Sequence, residues 1–132
     1  MRKVNTGDYS IEGLEDTFFI ERKRTTGEIA INFGSKWTQF QKELERAKNF
    51  RFKYIICEFP YSNLDIFPIN SGIPKNKLFF LRITGNYLKS KINKIQEEYG
   101  IEFIFCQNEF EAQEKALELM EKCYEIIRSE KV

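Results

Sequence analysis

Thr17-Phe18-Phe19-Ile20-Glu21-Arg22-Lys23 is an apolar run that ends in three charged residues. Its aromatic and β-branched content reads as a buried strand that carries charge out at its end, an arrangement that holds side chains rigidly. Upstream, Thr6-Gly7-Asp8-Tyr9-Ser10-Ile11-Glu12-Gly13 reads as a short strand bracketed by glycines, which makes Gly13 to Asp16 a hairpin turn. Downstream, Trp37, Phe40, Leu44 and Ala47 recur at helical spacing, with Ser35 as the expected N-cap. Tyr54-Ile55-Ile56-Cys57-Glu58-Phe59 is a second buried strand, and Ile101-Glu102-Phe103-Ile104-Phe105-Cys106 a third. Between them Leu88, Ile92, Ile95 and Tyr99 mark a helix ended by Gly100. A final helix is capped by Asn108 and carries Ala116, Leu119, Met120, Cys123, Tyr124 and Ile127. Leu78 to Ile83 fits strand or helix equally, and the prolines at 60, 68 and 74 mark a long rim loop. Strands separated by long helices require crossover connections, so the expected class is α/β, a central mixed sheet flanked by helices with an antiparallel hairpin at its start.

The chain of 132 residues has the size of one domain, and at 42% hydrophobic with 13 Phe and 6 Tyr it has the side chains for a core. It contains no run of roughly 18 apolar residues and no apolar leader, as expected of a soluble intracellular protein, cytoplasmic or nuclear, with no membrane partner. Cys57, Cys106 and Cys123 show no Cys-x-x-Cys spacing and read as buried thiols of a reducing compartment. The absence of any histidine excludes Ser-His-Asp and Cys-His catalysis and histidine-ligated zinc. Enzymatic chemistry here therefore belongs to carboxylates, lysine or a hard cation held by oxygen. With 21 basic and 20 acidic residues the net charge is +1, so any basic surface is local.

Glu21 and Lys23, two apart on a strand, share a face, while Arg22 points the other way. A carboxylate from each of two neighbouring strands, Asp8 and Glu21, can share Mg²⁺ or Mn²⁺, and the ammonium of Lys23, exposed at the strand end, can orient or deprotonate an attacking water. A phosphodiester is the substrate this suits. Singly, such residues are ordinarily solvated charge or a turn. Their order and strand context are more specific. Arg22, Arg24 and Lys36 form a candidate phosphate-binding patch, against the simpler reading of solvated charge. Asn32-Phe33-Gly34-Ser35-Lys36 lacks the spacing of a phosphate loop, and Trp37 reads as core.

The succession Thr6-Gly7-Asp8-Tyr9, then an apolar strand ending Glu21-Arg22-Lys23, then a short helix-prone piece, then Phe40-Gln41-Lys42-Glu43-Leu44-Glu45-Arg46 before a strand ending in Glu58, resembles the XPF-type nuclease domain. That family cleaves branched or flapped DNA and belongs to the restriction-endonuclease-like group. The resemblance implies one nuclease domain over 1–132, working in DNA repair with Mg²⁺ or Mn²⁺. It implies Asp8 and Glu21 as metal ligands, the main-chain carbonyl of Arg22 as a further ligand, Lys23 as the catalytic lysine, and the Arg22 side chain as a support of the site or a DNA contact. It implies a homodimer, or a heterodimer with another nuclease subunit, and the broad apolar stripe of the last helix agrees. Two departures stand out. The family begins with a strand ending in Asp-Arg-Glu, expected to be missing because only six residues precede Gly7. The family's Asp four residues after its Lys is here Gly27, followed by Glu28 as a possible substitute acid. An alternative reading is therefore a catalytically impaired DNA-binding or scaffold module that partners an active nuclease.

Overall fold

The computed structural model describes residues 17–78 and 82–130. Strand β1 (Phe18–Lys23) is followed by helices α1 (Thr26–Phe33) and α2 (Trp37–Ala47), then β2 (Phe52–Cys57). A short 3-10 turn (Tyr61–Leu64) leads to α3 (Lys75–Leu78) and α4 (Gly85–Tyr99), then β3 (Glu102–Phe105) and α5 (Glu109–Glu130). The strands pair in the order β1-β2-β3, both pairs parallel, with Lys23 opposite Cys57 and Cys57 opposite Phe105. The α/β class and its crossovers are as expected. The antiparallel hairpin, Asp8 and the strand expected to be missing all concern residues outside those described.

Alternation along the strands builds two layers of packing. On one face Phe19, Ile55, Cys57 and Phe103 meet Ile29 and Phe33 of α1, Phe40 and Leu44 of α2, and Leu88, Ile92 and Ile95 of α4. On the other, Ile20 and Ile56 meet Ala112, Ala116 and Met120 of α5, while Phe18 meets Cys123 and Ile127 further along the same helix. A fully buried side chain such as Phe19 or Ile56 stabilises the fold by roughly 1.5–3 kcal/mol relative to exposure. All three cysteines are buried and free. Burial pushes the Cys57 thiol well above its usual range, a shift that Lys23 only partly offsets, so Cys57 is a protonated packing group and no nucleophile.

Helix ends follow local chemistry. Thr25 and Thr84 cap α1 and α4 through their hydroxyls, and Gly100 closes α4 in the left-handed conformation at φ 68°. Asn108 caps α5, its Oδ1 accepting from the Glu111 amide at 2.9 Å. Replacing Asn108 by Ala is expected to cost about 1 kcal/mol, read as a lower midpoint in chemical denaturation. Ser35 does not cap α2, contrary to expectation. The helix begins at Trp37, and the amides of Lys36 and Trp37 donate instead to the carbonyls of Ile31 and Gly34, because α1 turns directly into α2.

The stretch from Pro60 to Pro74 lies packed against the domain, with Leu64 and Ser71 buried. Leu78 ends the single turn of α3, residues 82–84 belong to neither helix nor strand, and the rest of the open segment falls outside the described residues. On α5, Phe110, Leu117 and Tyr124 remain exposed one heptad apart.

Candidate active site

The carboxyl end of β1 assembles the site. After Phe19, the same strand face continues with Glu21 and Lys23, which places them beside α1 and α2. Lys23 Nζ lies 3.2 Å from Glu21 Oε2, with the two side chains only 8% and 13% exposed. Contrary to the expectation of an exposed lysine, Lys23 is buried. Two neighbours account for this: the Phe40 ring from α2, 5.1 Å from Nζ, and Glu28 from α1, whose Oε1 is 3.9 Å away. Attraction to two carboxylates and an aromatic face replaces the hydration an ammonium loses on burial.

Glu28 also has a structural task. Its amide donates to Thr25 Oγ1 at 3.2 Å and its Oε2 accepts from the Arg24 amide at 3.1 Å, a reciprocal arrangement that satisfies the open end of α1. Its side chain is 41% exposed, so it reaches the Lys23 end of the strand while facing solvent. Gly27, where the XPF-type pattern has an acid, is closed to any side chain. Its amide donates to the Ser71 carbonyl at 3.1 Å, and a Cβ at this position would stand 2.2 Å from that oxygen.

Arg22 takes the opposite sheet face. Its Nη2 pairs with Glu58 Oε2 at 2.9 Å and donates to the Glu109 carbonyl at 3.1 Å, which ties the ends of β1 and β2 to the start of α5. Glu58 is reached because its amide donates to the Lys23 carbonyl at 2.8 Å, extending the parallel pairing by one step. The structure thus brings Glu21, Lys23 and Glu28 together. It separates Arg22 from Lys36, which lies ahead of α2 on the other side of the sheet, while Arg24 is exposed between β1 and α1. Glu58 and Phe40 are the neighbours that sequence reading did not assign; a charged residue ending β2 was the available signal for the first.

Among the described residues no three acids or thiols converge into a metal cage. On the Lys23 face the described carboxylates are Glu21 and Glu28, hard ligands of the type that suits Mg²⁺ or Mn²⁺, and Asp8, the ligand expected beside Glu21, lies outside the described residues. No described helix is long and apolar enough to cross a membrane.

No family model and no curated protein matches the sequence. Solved structures do. XPF from Aeropyrum pernix aligns with 96% of this chain at a TM-score of 0.59 and 18% identity, and the chain spans about half of that protein, 54% of its length. XPF from Aeropyrum pernix in complex with DNA aligns over 80% of this chain and 42% of its own length, at a TM-score of 0.50 and 20% identity. The chain therefore has an XPF-like fold of the restriction-endonuclease-like kind.

Proposed function

We propose that this chain is the nuclease domain of a metal-dependent DNA endonuclease that hydrolyses phosphodiesters at branched or flapped DNA. The observation that carries the reading is the Glu21–Lys23 pair, 3.2 Å apart and largely buried at the end of one strand, in a fold shared with XPF. The DNA found with the second XPF structure supports nucleic acid as the substrate class.

In this reading Glu21 and Asp8 hold Mg²⁺ or Mn²⁺, with the Arg22 carbonyl as a further ligand and Glu28 as the solvent-side acid. The ion, when bound, supplies Lewis acidity toward the phosphate and its attacking water. Lys23 orients that water and stabilises charge that develops on the phosphoryl oxygens. Glu21 positions Lys23 in turn, and Phe40 behind the ammonium excludes bulk water. Arg22 acts on the other face, where its pair with Glu58 fixes the ends of β1 and β2 against each other. The stripe of Phe110, Leu117 and Tyr124 suits pairing with a second copy or with a related nuclease subunit.

The test is Glu21→Gln, which keeps shape and removes the anionic ligand. Calorimetry with Mn²⁺ and cleavage of a labelled flap substrate are both expected to fail in this variant while succeeding in the parent chain. A Glu21→Gln protein that cuts at the parental rate overturns the reading.

A further inference from the structure

The net charge of +1 conceals a segregation along the chain. Residues 66–96 contain six basic residues, Lys75, Lys77, Arg82, Lys89, Lys91 and Lys94, and no acidic one. Helix α5 carries seven acidic residues against three basic ones. The fold turns this difference into two faces, because α4 packs on one side of the sheet and α5 on the other.

The basic segment is also anchored along α1. Near the candidate site, Ser71 accepts from the Gly27 amide, Ile73 packs at Gly27, and Gly72 lies against Thr25. At the far end of α1, Ile83 packs at Gly34. Beyond it, Lys91 Nζ sits 3.6 Å from the centre of the Trp37 ring of α2, which fixes that ammonium in place. Lys75, Lys77, Arg82 and Lys94 are exposed. Of the acids on this side of the sheet, Asp65 engages Lys89, Glu28 is held by the cap of α1 and by Lys23, and Glu97 and Glu98 fall in the last turn of α4, beyond the basic stretch.

Resting on the nuclease reading above, we propose that Lys75, Lys77, Arg82, Lys91 and Lys94 form a phosphate-binding track that lays the DNA backbone along α1, with one end at the Glu21–Lys23 site, while the acidic α5 face is kept off the nucleic acid. Cations spaced along one face and cleared of carboxylates are what a polyanion requires, since each phosphate neutralised releases condensed counterions. A track that starts beside the reactive lysine carries the scissile strand to it. Apolar anchors at both ends of α1 hold the cations in fixed register with that site.

The experiment measures fluorescence anisotropy of a labelled flap DNA in EDTA, where no cleavage occurs, across a range of salt. The triple variant Lys75→Glu/Lys77→Glu/Arg82→Glu changes only exposed side chains. It is expected to bind about tenfold or more weakly and to lose between two and three units of salt slope, at roughly 0.9 per phosphate contact. Lys115→Glu/Lys122→Glu on α5 is expected to stay within about twofold of the parent. Parental affinity in the triple variant, or equal losses in both variants, overturns the track. So does an affinity for anionic phosphatidylserine vesicles that falls in the triple variant while DNA binding does not.

Cleavage with Mn²⁺ separates this proposal from the reading beneath it. A triple variant that binds and cuts like the parent, beside an inactive Glu21→Gln, overturns the track and keeps the nuclease. Track-dependent binding with no Mn²⁺-dependent cleavage in the parent supports the track and overturns the nuclease.

Discussion

Replacing Lys23 by alanine is expected to lower Mn²⁺-dependent cleavage of flap DNA by at least about a hundredfold, the usual cost of removing one group that stabilises developing charge. The same change is expected to weaken the fold, unlike substitution of an exposed lysine. Lys23 is buried, 3.2 Å from a Glu21 carboxylate that is itself only 13% exposed. Its removal takes the cation from beside that carboxylate and from the Phe40 ring it packs on, a loss on the order of 1–3 kcal/mol. Glu21→Gln/Lys23→Met, which neutralises both members and keeps their volume, is expected to recover much of this stability and none of the activity. Denaturant titrations of the single and double variants read the fold; single-turnover cleavage reads the chemistry. A Lys23→Ala protein that cuts normally removes Lys23 from the mechanism, and one that melts like the parent removes the argument from burial.

The second large effect concerns Gly27. Restoring an aspartate at this position, as the XPF-type pattern has it, is expected to damage the domain instead of improving it. The first atom of any side chain would stand 2.2 Å from the Ser71 carbonyl oxygen and 2.8 Å from Ile73. Backbone oxygen cannot yield as a flexible side chain does, so the 71–73 turn has to leave α1 and give up the bond from the Gly27 amide. The expected cost is about 2–4 kcal/mol, within the range of overpacking combined with a lost buried hydrogen bond. Gly27→Ala is expected to lose nearly as much, since the clash begins at Cβ. A Gly27→Asp variant with parental thermal stability and faster cleavage indicates that the turn moves freely and that the position belongs to the site.

Residues whose environment lies close in sequence were legible before the fold. Phe18, Phe19 and Ile20 declared β1, the 88–92–95–99 stripe declared α4, and Asn108 was readable as a cap because its partner amide is only three residues away. The opposed directions of Glu21 and Arg22 followed from strand geometry alone. What stayed hidden depends on contacts between distant segments. Ser35 has the chemistry of an N-cap, yet the end of α1 already supplies the carbonyls that α2 needs. Burial of Lys23 is decided by Phe40 and Glu28, which come from two different helices. The partnership of Arg22 with Glu58 requires the parallel register that places Lys23 opposite Cys57. The reason for glycine at 27 rests with Ser71, more than forty residues further on.

The two helix layers have an electrical consequence. With a helix about 10–12 Å across on each side of the sheet, the outer charges of α4 and α5 lie on the order of 20 Å or more apart. At physiological ionic strength the Debye length is about 8 Å, so neither layer feels much of the other. A polyanion approaching the α4 side meets a cation-rich wall whose potential the carboxylates of α5 do not cancel. The near-zero net charge belongs to the whole molecule as an electrophoretic property, and an incoming ligand at that salt never experiences it. Dilution extends the screening cloud until the far layer begins to count. The domain is then drawn in with a turning torque as well as a pull, so that it arrives already oriented, with α5 trailing.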